Sequence, residues 1–236
     1  MKTTLHKSNT RGHANHGWLN AYHSFSFAGY FNPERHNFGV LRVLNDDTIA
    51  AGMGFGTHPH DNMEIITIPL EGDLAHKDSM GNAATIKSGD IQVMSAGTGI
   101  QHSEFNPNHD RQTKLLQIWL FPKTENVTPR YQQITLDVAD RHNKLQQVLS
   151  PNPDDDGVWI HQDAWFHMGN FDAGATANYP LKKAGNGLYV FVLKGNIEIA
   201  GQTLETRDGL GVTDFDTLEI KANQDSEFLL MEVPMK

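Results

Sequence analysis

Two short stretches hold the residue types of a single metal site: Thr57-His58-Pro59-His60-Asp61-Asn62-Met63-Glu64 and, further along, Gln101-His102-Ser103-Glu104-Phe105-Asn106. Residues i and i+2 of a β-strand project to the same face, so His58 with His60, and His102 with Glu104, can each deliver two ligands into one cavity. Three imidazoles and a carboxylate suit a redox-capable divalent first-row metal and leave coordination positions free for a substrate and for dioxygen. Glu64 lies four residues beyond His60 and shares its strand parity, so the pattern alone leaves Glu64 and Glu104 both open as the carboxylate. The chain has no cysteine, which rules out disulfides and a thiolate site. Nitrogen and carboxylate donors leave the identity of the ion open among iron, manganese, cobalt, nickel, copper and zinc.

The elements that must position these residues read as short β-runs punctuated by Gly, Asn, Asp and Pro. The run from Phe38 to Leu44 ends at Asn45-Asp46-Asp47, a turn signal before Thr48-Ile49-Ala50. Glu64 to Leu70 stops at Glu71-Gly72-Asp73, Ser88-Gly89-Asp90 precedes Ile91 to Met94, and Lys114 to Phe121 forms a further strand. Many short strands with regular turn signals predict an all-β sandwich or barrel. From Pro122 to Asp156 the chain is polar, with only Tyr131 to Leu136 and Leu145 to Leu149 reading as ordered. Asp137 to His142 reads equally as a short helix or a loop.

An internal repeat then divides the chain. Leu188-Tyr189-Val190-Phe191-Val192-Leu193-Lys194-Gly195-Asn196-Ile197 parallels the run from Ile65 to Leu74, with Leu193-Lys194-Gly195 matching Leu70-Glu71-Gly72 at an offset of 123. Arg207 to Val212 matches Ser88 to Val93 at an offset of 119. Two small β-barrels are expected, residues 1–133 carrying the metal and residues 134–236 metal-free. Carrying His58 and His60 forward by the first offset gives Leu181 and Lys183, and carrying His102 and Glu104 by the second gives Lys221 and Asn223. Barrel construction therefore does not by itself call for the histidines.

The formal charge of −9 and the lack of any Lys/Arg cluster argue against a nucleic-acid partner. The first residues lack the apolar core of a secretory signal and no long apolar run occurs, so the expectation is a cytoplasmic protein with no membrane partner, read as a monomer. Gly52-Met53-Gly54-Phe55-Gly56 runs directly into the strand carrying the His pair, which fits close barrel packing better than a phosphate loop. His76, His109, His142 and His161 are given no metal role. His13, His16 and His23 are read as hydrogen-bonding or packing groups, and Trp18, Phe25 and Phe27 as core residues.

The paired motifs resemble those of cupins. The fuller pattern Arg11-Gly12-His13, Gly17-Trp18-Leu19 and His23-Ser24-Phe25-Ser26-Phe27, with Gly39 to Asp47 and, in the second half, Ile160-His161-Gln162-Asp163-Ala164, is similar to pirins. That resemblance implies an all-β bicupin: two jelly-roll barrels packed together, with few short helices. It also implies one non-haem metal, usually Fe(II), on His58, His60, His102 and Glu104, and so favours Glu104 over Glu64. Ser95 stands where cupins commonly carry proline ahead of the second-motif glycine. The activity implied is quercetin 2,3-dioxygenase chemistry, in which a flavonol heterocycle is opened with O2 and carbon monoxide is released. Glu104 would there serve as general base as well as ligand, with a small aromatic polyphenol as substrate. The alternative that the resemblance carries is a metal- or redox-sensing regulator that binds a transcriptional or metabolic protein partner.

Overall fold

The computed structural model describes residues 1–236. Each half is a sandwich of one seven-stranded and one four-stranded sheet. In the first half the large sheet runs, in spatial order, Arg130–Thr135, Asp90–Ser95, Glu64–Glu71, Thr113–Leu120, Leu41–Ile49, Leu19–His23 and Gly12–Asn15. The second half repeats this arrangement with Lys2–His6, Gly209–Thr213, Asn186–Lys194, Ser226–Pro234, Trp165–Phe171, Leu145–Ser150 and Val158–Trp159. The small sheets correspond likewise: Gly54–His60, Ile100–Phe105, Asp73–Asp78 and Ala83–Lys87 against Thr176–Pro180, Thr217–Ala222, Asn196–Ile199 and Gln202–Glu205. Helical structure is confined to two 3-10 turns, Ser8–Thr10 and Val138–Arg141, the latter capped by the Asp137 carboxylate accepting from the Ala139 N–H. No helix is long and apolar enough to cross a membrane.

One strand of each large sheet comes from the far side of the chain's midpoint or close to it. Lys2–His6 pairs with Gly209–Thr213, closing the second half, while Arg130–Thr135 takes the corresponding edge of the first. A division between residues 133 and 134 passes through the latter strand and parts the former from the sheet it completes. The repeated Gly72 and Gly195 both take left-handed backbone conformations, with φ of 76° and 91°, at the corner where the chain passes from the large sheet to the small one.

The two large sheets pack back to back, and between them lies the main core. Twenty-four buried residues from both halves form it, among them Leu116, Ile118 and Leu120 from one and Phe166, Phe191 and Met231 from the other. Inside the second sandwich a separate cluster of fifteen buried residues, including Phe171, Tyr179 and Phe228, fills the space with apolar side chains. The first sandwich is filled differently. Its interior apolar clusters number only six and four buried residues, and polar side chains occupy the rest.

Strand register corrects the equivalences expected from the repeat. Glu104 pairs with His76 as Ile220 pairs with Ile199, and His102 pairs with His58 as Leu218 pairs with Tyr179. The counterparts of His58, His60, His102 and Glu104 are therefore Tyr179, Leu181, Leu218 and Ile220. Leu181 to Gly185 is a longer connection than Asp61 to Met63, and the second-half hairpin is shorter, so a single sequence offset misplaces the ligands. None of the four counterparts is a good ligand for a divalent ion at neutral pH.

A buried histidine in the second half gives a testable pH dependence. His167 packs edge-on to Tyr179 with ring centroids 5.2 Å apart and its Nδ1 has no partner. Burial, and secondarily Lys182, lowers its pKa to about 4. An unfolded histidine titrates near 6.5, so as pH falls below that value the unfolded chain takes up a proton that the folded chain refuses, and stability is lost. At pH 4.5 this one residue costs about 2–3 kcal/mol relative to pH 7.5. In urea melts, the stability gap between His167→Gln and the parent is expected to shift by that amount in the variant's favour over this pH range. An unchanged gap would mean that the folded protein accepts the proton.

Candidate metal centre

His58 and His60 lie on Gly54–His60, and His102 and Glu104 lie on the neighbouring antiparallel strand Ile100–Phe105, with His102 directly opposite His58. Close approach of these two strands depends on Gly54, where a Cβ would lie 2.3 Å from the Glu104 carbonyl oxygen and the Phe105 Cα. Gly54 thus serves barrel packing, whereas Gly52 and Gly56 have open space where a Cβ would stand. Alternation along Ile100–Phe105 buries His102 and Glu104 and leaves Gln101 and Phe105 exposed.

His102 links two groups of potential donors at the small sheet. His58, His60 and His102 each offer a ring nitrogen within 4.8 Å of the others, and His76, His102 and Glu104 form a second such trio sharing His102. The Nε2 atoms of His60 and His102 are 3.1 Å apart. Nitrogen donors about 2.1 Å from one ion stand about 3.0–3.4 Å from each other, so this pair is already spaced as adjacent ligands. His58 Nδ1 donates to the Gly56 carbonyl at 2.8 Å, which leaves its Nε2 lone pair free toward the cluster. Burial, followed by the neighbouring His58, lowers His60 to about 4 and His102 to about 2, so both rings are neutral and able to donate electron pairs at physiological pH.

Glu104 is held from one side only. Gln117 Nε2 donates to its Oε2 at 3.0 Å, and Thr67 in turn donates to Gln117 Oε1 at 3.0 Å. Oε1 is buried without a partner, as is His102 Nδ1. Burial raises the metal-free carboxyl to about 7. Neutral imidazoles crowded together beside an orphaned carboxylate oxygen are costly unless a cation joins them, and that donor set fits a divalent transition ion.

Glu64, left open as a carboxylate ligand by strand parity, is turned elsewhere. The strand bearing the His pair ends at His60, Asn62 takes a left-handed conformation (φ 43°), and Glu64 begins a strand of the large sheet. Parity does not carry across that corner. Glu64 is 1% exposed, accepts from Ser95 Oγ at 2.7 Å, and is further held by the His161 backbone and the charge of Arg130. Ser95, at the position where cupins commonly carry proline, is thus the hydroxyl donor that satisfies it.

Two residues join the site's surroundings beyond those expected from spacing. His76, given no metal role, pairs with Glu104 across the small sheet and packs against His102 at 5.3 Å, while its Nε2 lies 3.3 Å from an Asp78 carboxylate oxygen. Only register could reveal it, because its own sequence neighbours carry no motif. Phe27, expected in the core, instead lines a cavity of about 220 Å³ with Leu19, His23, Asn45, Asp47, Phe55 and Trp119, and His58 and Glu104 lie in the wall of the same cavity. Phe25 is in the core as expected, and Trp18 packs edge-on to Phe55. His23 bonds Asn45 through Nδ1 at 2.8 Å, in keeping with a hydrogen-bonding role.

The sequence profile of Pirin matches residues 4–120, and that of the quercetinase C-terminal cupin domain matches residues 147–233. Quercetin 2,3-dioxygenase of Escherichia coli is 45% identical over 230 residues, covering 98% of each chain. The chain belongs to the pirin family. Among solved structures, YhhW from E. coli superposes with a TM-score of 0.95 at 44% identity, covering 99% of this chain and 98% of that one. Bacterial pirin YhhW in complex with nickel(II) gives 0.93 at 44% identity over 99% of both chains. Two pirin-type domains and four sheets establish the bicupin fold that the resemblance implied.

Gln117 gives this pirin a direct test of how its carboxylate is oriented. Gln117→Leu removes the donor to Glu104 and leaves Thr67 unpaired, and metal affinity is expected to fall roughly 10–100-fold. Competition with a chromophoric chelator measures it; unaltered affinity would mean that Glu104 needs no orienting bond.

Proposed function

We propose that this pirin holds one divalent transition metal on His58, His60, His102 and Glu104 and uses it to open the heterocycle of a flat polyphenol such as quercetin with O2. The supporting observation is the trio His58, His60 and His102, joined through His102 to Glu104, with His58 and Glu104 in the wall of a cavity also lined by Phe27, Phe55 and Trp119. The E. coli relative named quercetin 2,3-dioxygenase and the nickel complex of bacterial pirin YhhW point the same way. Fe(II) is the ion that the dioxygenase chemistry favours.

When bound, the metal supplies Lewis acidity and a redox-capable contact for substrate oxygen and dioxygen. The protein does the rest. Phe27, Phe55 and Trp119 enclose flat rings and keep water from them, which strengthens every polar contact made inside. Gln117 fixes the rotation of the Glu104 carboxylate. Glu104 Oε1, lacking a protein partner, is the oxygen that would hold the metal and, once released from it, would accept the proton of a substrate hydroxyl so that the substrate binds as its anion.

The test is aerobic incubation of quercetin with metal-loaded and chelator-stripped protein, followed by loss of the near-visible flavonol band and by carbon monoxide release. Metal-dependent loss with one equivalent of carbon monoxide supports ring cleavage. Tight metal binding with no loss of quercetin would overturn this reading and leave metal sensing as the role of the site.

A further inference from the structure

The strand Leu41–Ile49 runs without interruption through Asn45-Asp46-Asp47, the segment whose composition predicts a turn. Three polar residues persist inside a strand, and two of them, Asn45 and Asp47, face the cavity beside the metal donors. Asn45 is satisfied by His23. Asp47 is not satisfied: it is 5% exposed, and its Oδ1 is buried with no hydrogen-bond partner. Its flanking residues in the sheet are Ala21 and Leu115, neither of which has a side chain able to bond it.

Folding does not require a carboxyl group there. Register makes Gly169 the counterpart of Asp47 in the second half, opposite Phe228 as Asp47 is opposite Leu115. A Cβ on Gly169 would lie 2.5 Å from the Phe228 ring, so the second half fills with an aromatic side chain the space that the first half leaves as cavity. Of the other polar groups of the cavity wall, His23 is committed to Asn45 and Gln117 to Glu104 and Thr67, while the Trp119 indole Nε1 is a second buried group without a partner. Asp47 thus stands as a buried polar group whose partner has to come from the cavity's contents.

We propose that Asp47 is a specificity-determining residue of the cavity, its carboxyl group hydrogen-bonding a hydroxyl on the part of an aromatic ligand remote from the oxygen held at His58, His60, His102 and Glu104. This rests on the polyphenol reading of the site. It narrows the substrate class to planar polyphenols with at least one further hydroxyl beyond the chelating pair, because only a donor or acceptor on the ligand relieves the unpaired carboxyl. Burial raises Asp47 to about 8, with Asp46 and Glu104 adding to the shift, so near neutrality the group carries a proton and can donate as well as accept. A site built to bond a hydroxyl discriminates strongly against analogues lacking it, since the site group is then left unpaired.

The experiment compares equilibrium binding of quercetin and 3-hydroxyflavone, which keeps the chelating oxygens and lacks the other hydroxyls, to nickel-loaded parent, Asp47→Asn and Asp47→Leu under anaerobic conditions. The parent is expected to prefer quercetin by roughly tenfold or more. Asp47→Leu is expected to collapse that ratio toward one and Asp47→Asn to retain part of it, with nickel content as in the parent. Both variants are expected to melt at or above the parent's Tm, because each removes an unpaired buried carboxyl; a merely structural role would lower it. Equal binding of both flavonols by the parent, a ratio undiminished in Asp47→Leu, or a lowered Tm for Asp47→Asn would overturn the role of Asp47 alone. Failure of the parent to bind either flavonol would overturn the polyphenol reading, and this inference with it.

Discussion

His102→Ala is expected to lose at least roughly nine-tenths of its bound divalent metal after dialysis and to consume quercetin at least roughly a hundredfold more slowly than the parent. His102 is chosen because it belongs to both trios of potential ligands and sits between them, 3.1 Å from His60 Nε2 and packed on His58 and His76. Removing it leaves His60 without its neighbour and Glu104 without the ring that links it to the other imidazoles, so the remaining donors no longer enclose a single point. Metal content by mass spectrometry and oxygen uptake on the same preparation measure the two effects. A variant that keeps full metal while losing activity would place His102 outside the ligand set. The Tm of the metal-free proteins separates loss of ligand from loss of fold.

Phe166→Ala is expected to cost about 3–5 kcal/mol and to lower the stability of both halves together. Phe166 is fully buried in the cluster shared by the two large sheets, so the cavity opens between the halves and not within either. The protein is accordingly expected to unfold in one cooperative transition, with near- and far-ultraviolet circular dichroism coincident, and the variant to shift that transition as a whole. Fragments 1–133 and 134–236 are not expected to fold alone, because the division cuts Arg130–Thr135 and removes Lys2–His6 from the sheet it closes. Two resolved transitions, or a stable isolated fragment, would show that the shared core is dispensable to one half.

The candidate donors are legible in sequence because each pair lies within one strand, where an alternation of two fixes which side chains share a face. The repeat is legible because the corner between the large and small sheets needs its glycine at the same place in both copies, Gly72 and Gly195. Reasoning of this kind stops at corners and at pairings between distant strands. Glu64 shares the parity of His60 only if the strand continues, and the turn at Asn62 sends it to another sheet. His76 reaches the cluster through pairing with Glu104, a register that no local pattern encodes. The run Asn45-Asp46-Asp47 has the chemistry of a turn, yet pairing on both sides holds it extended, and a strand able to hydrogen-bond along both edges outweighs a local turn preference.

The sequence by itself pointed to two repeated all-β halves and to histidine and glutamate pairs in one half only as candidate ligands, since these follow from short-range spacing and from comparing one copy of the repeat with the other. Tertiary structure decided which carboxylate faces the histidines, that Phe27 and Asp47 look into a cavity, and that the two halves share one core. Those outcomes depend on how sheets turn and stack. Burial then assigns each polar group its consequence: Glu64 finds a donor in Ser95, whereas Asp47 and Glu104 Oε1 find none within the protein.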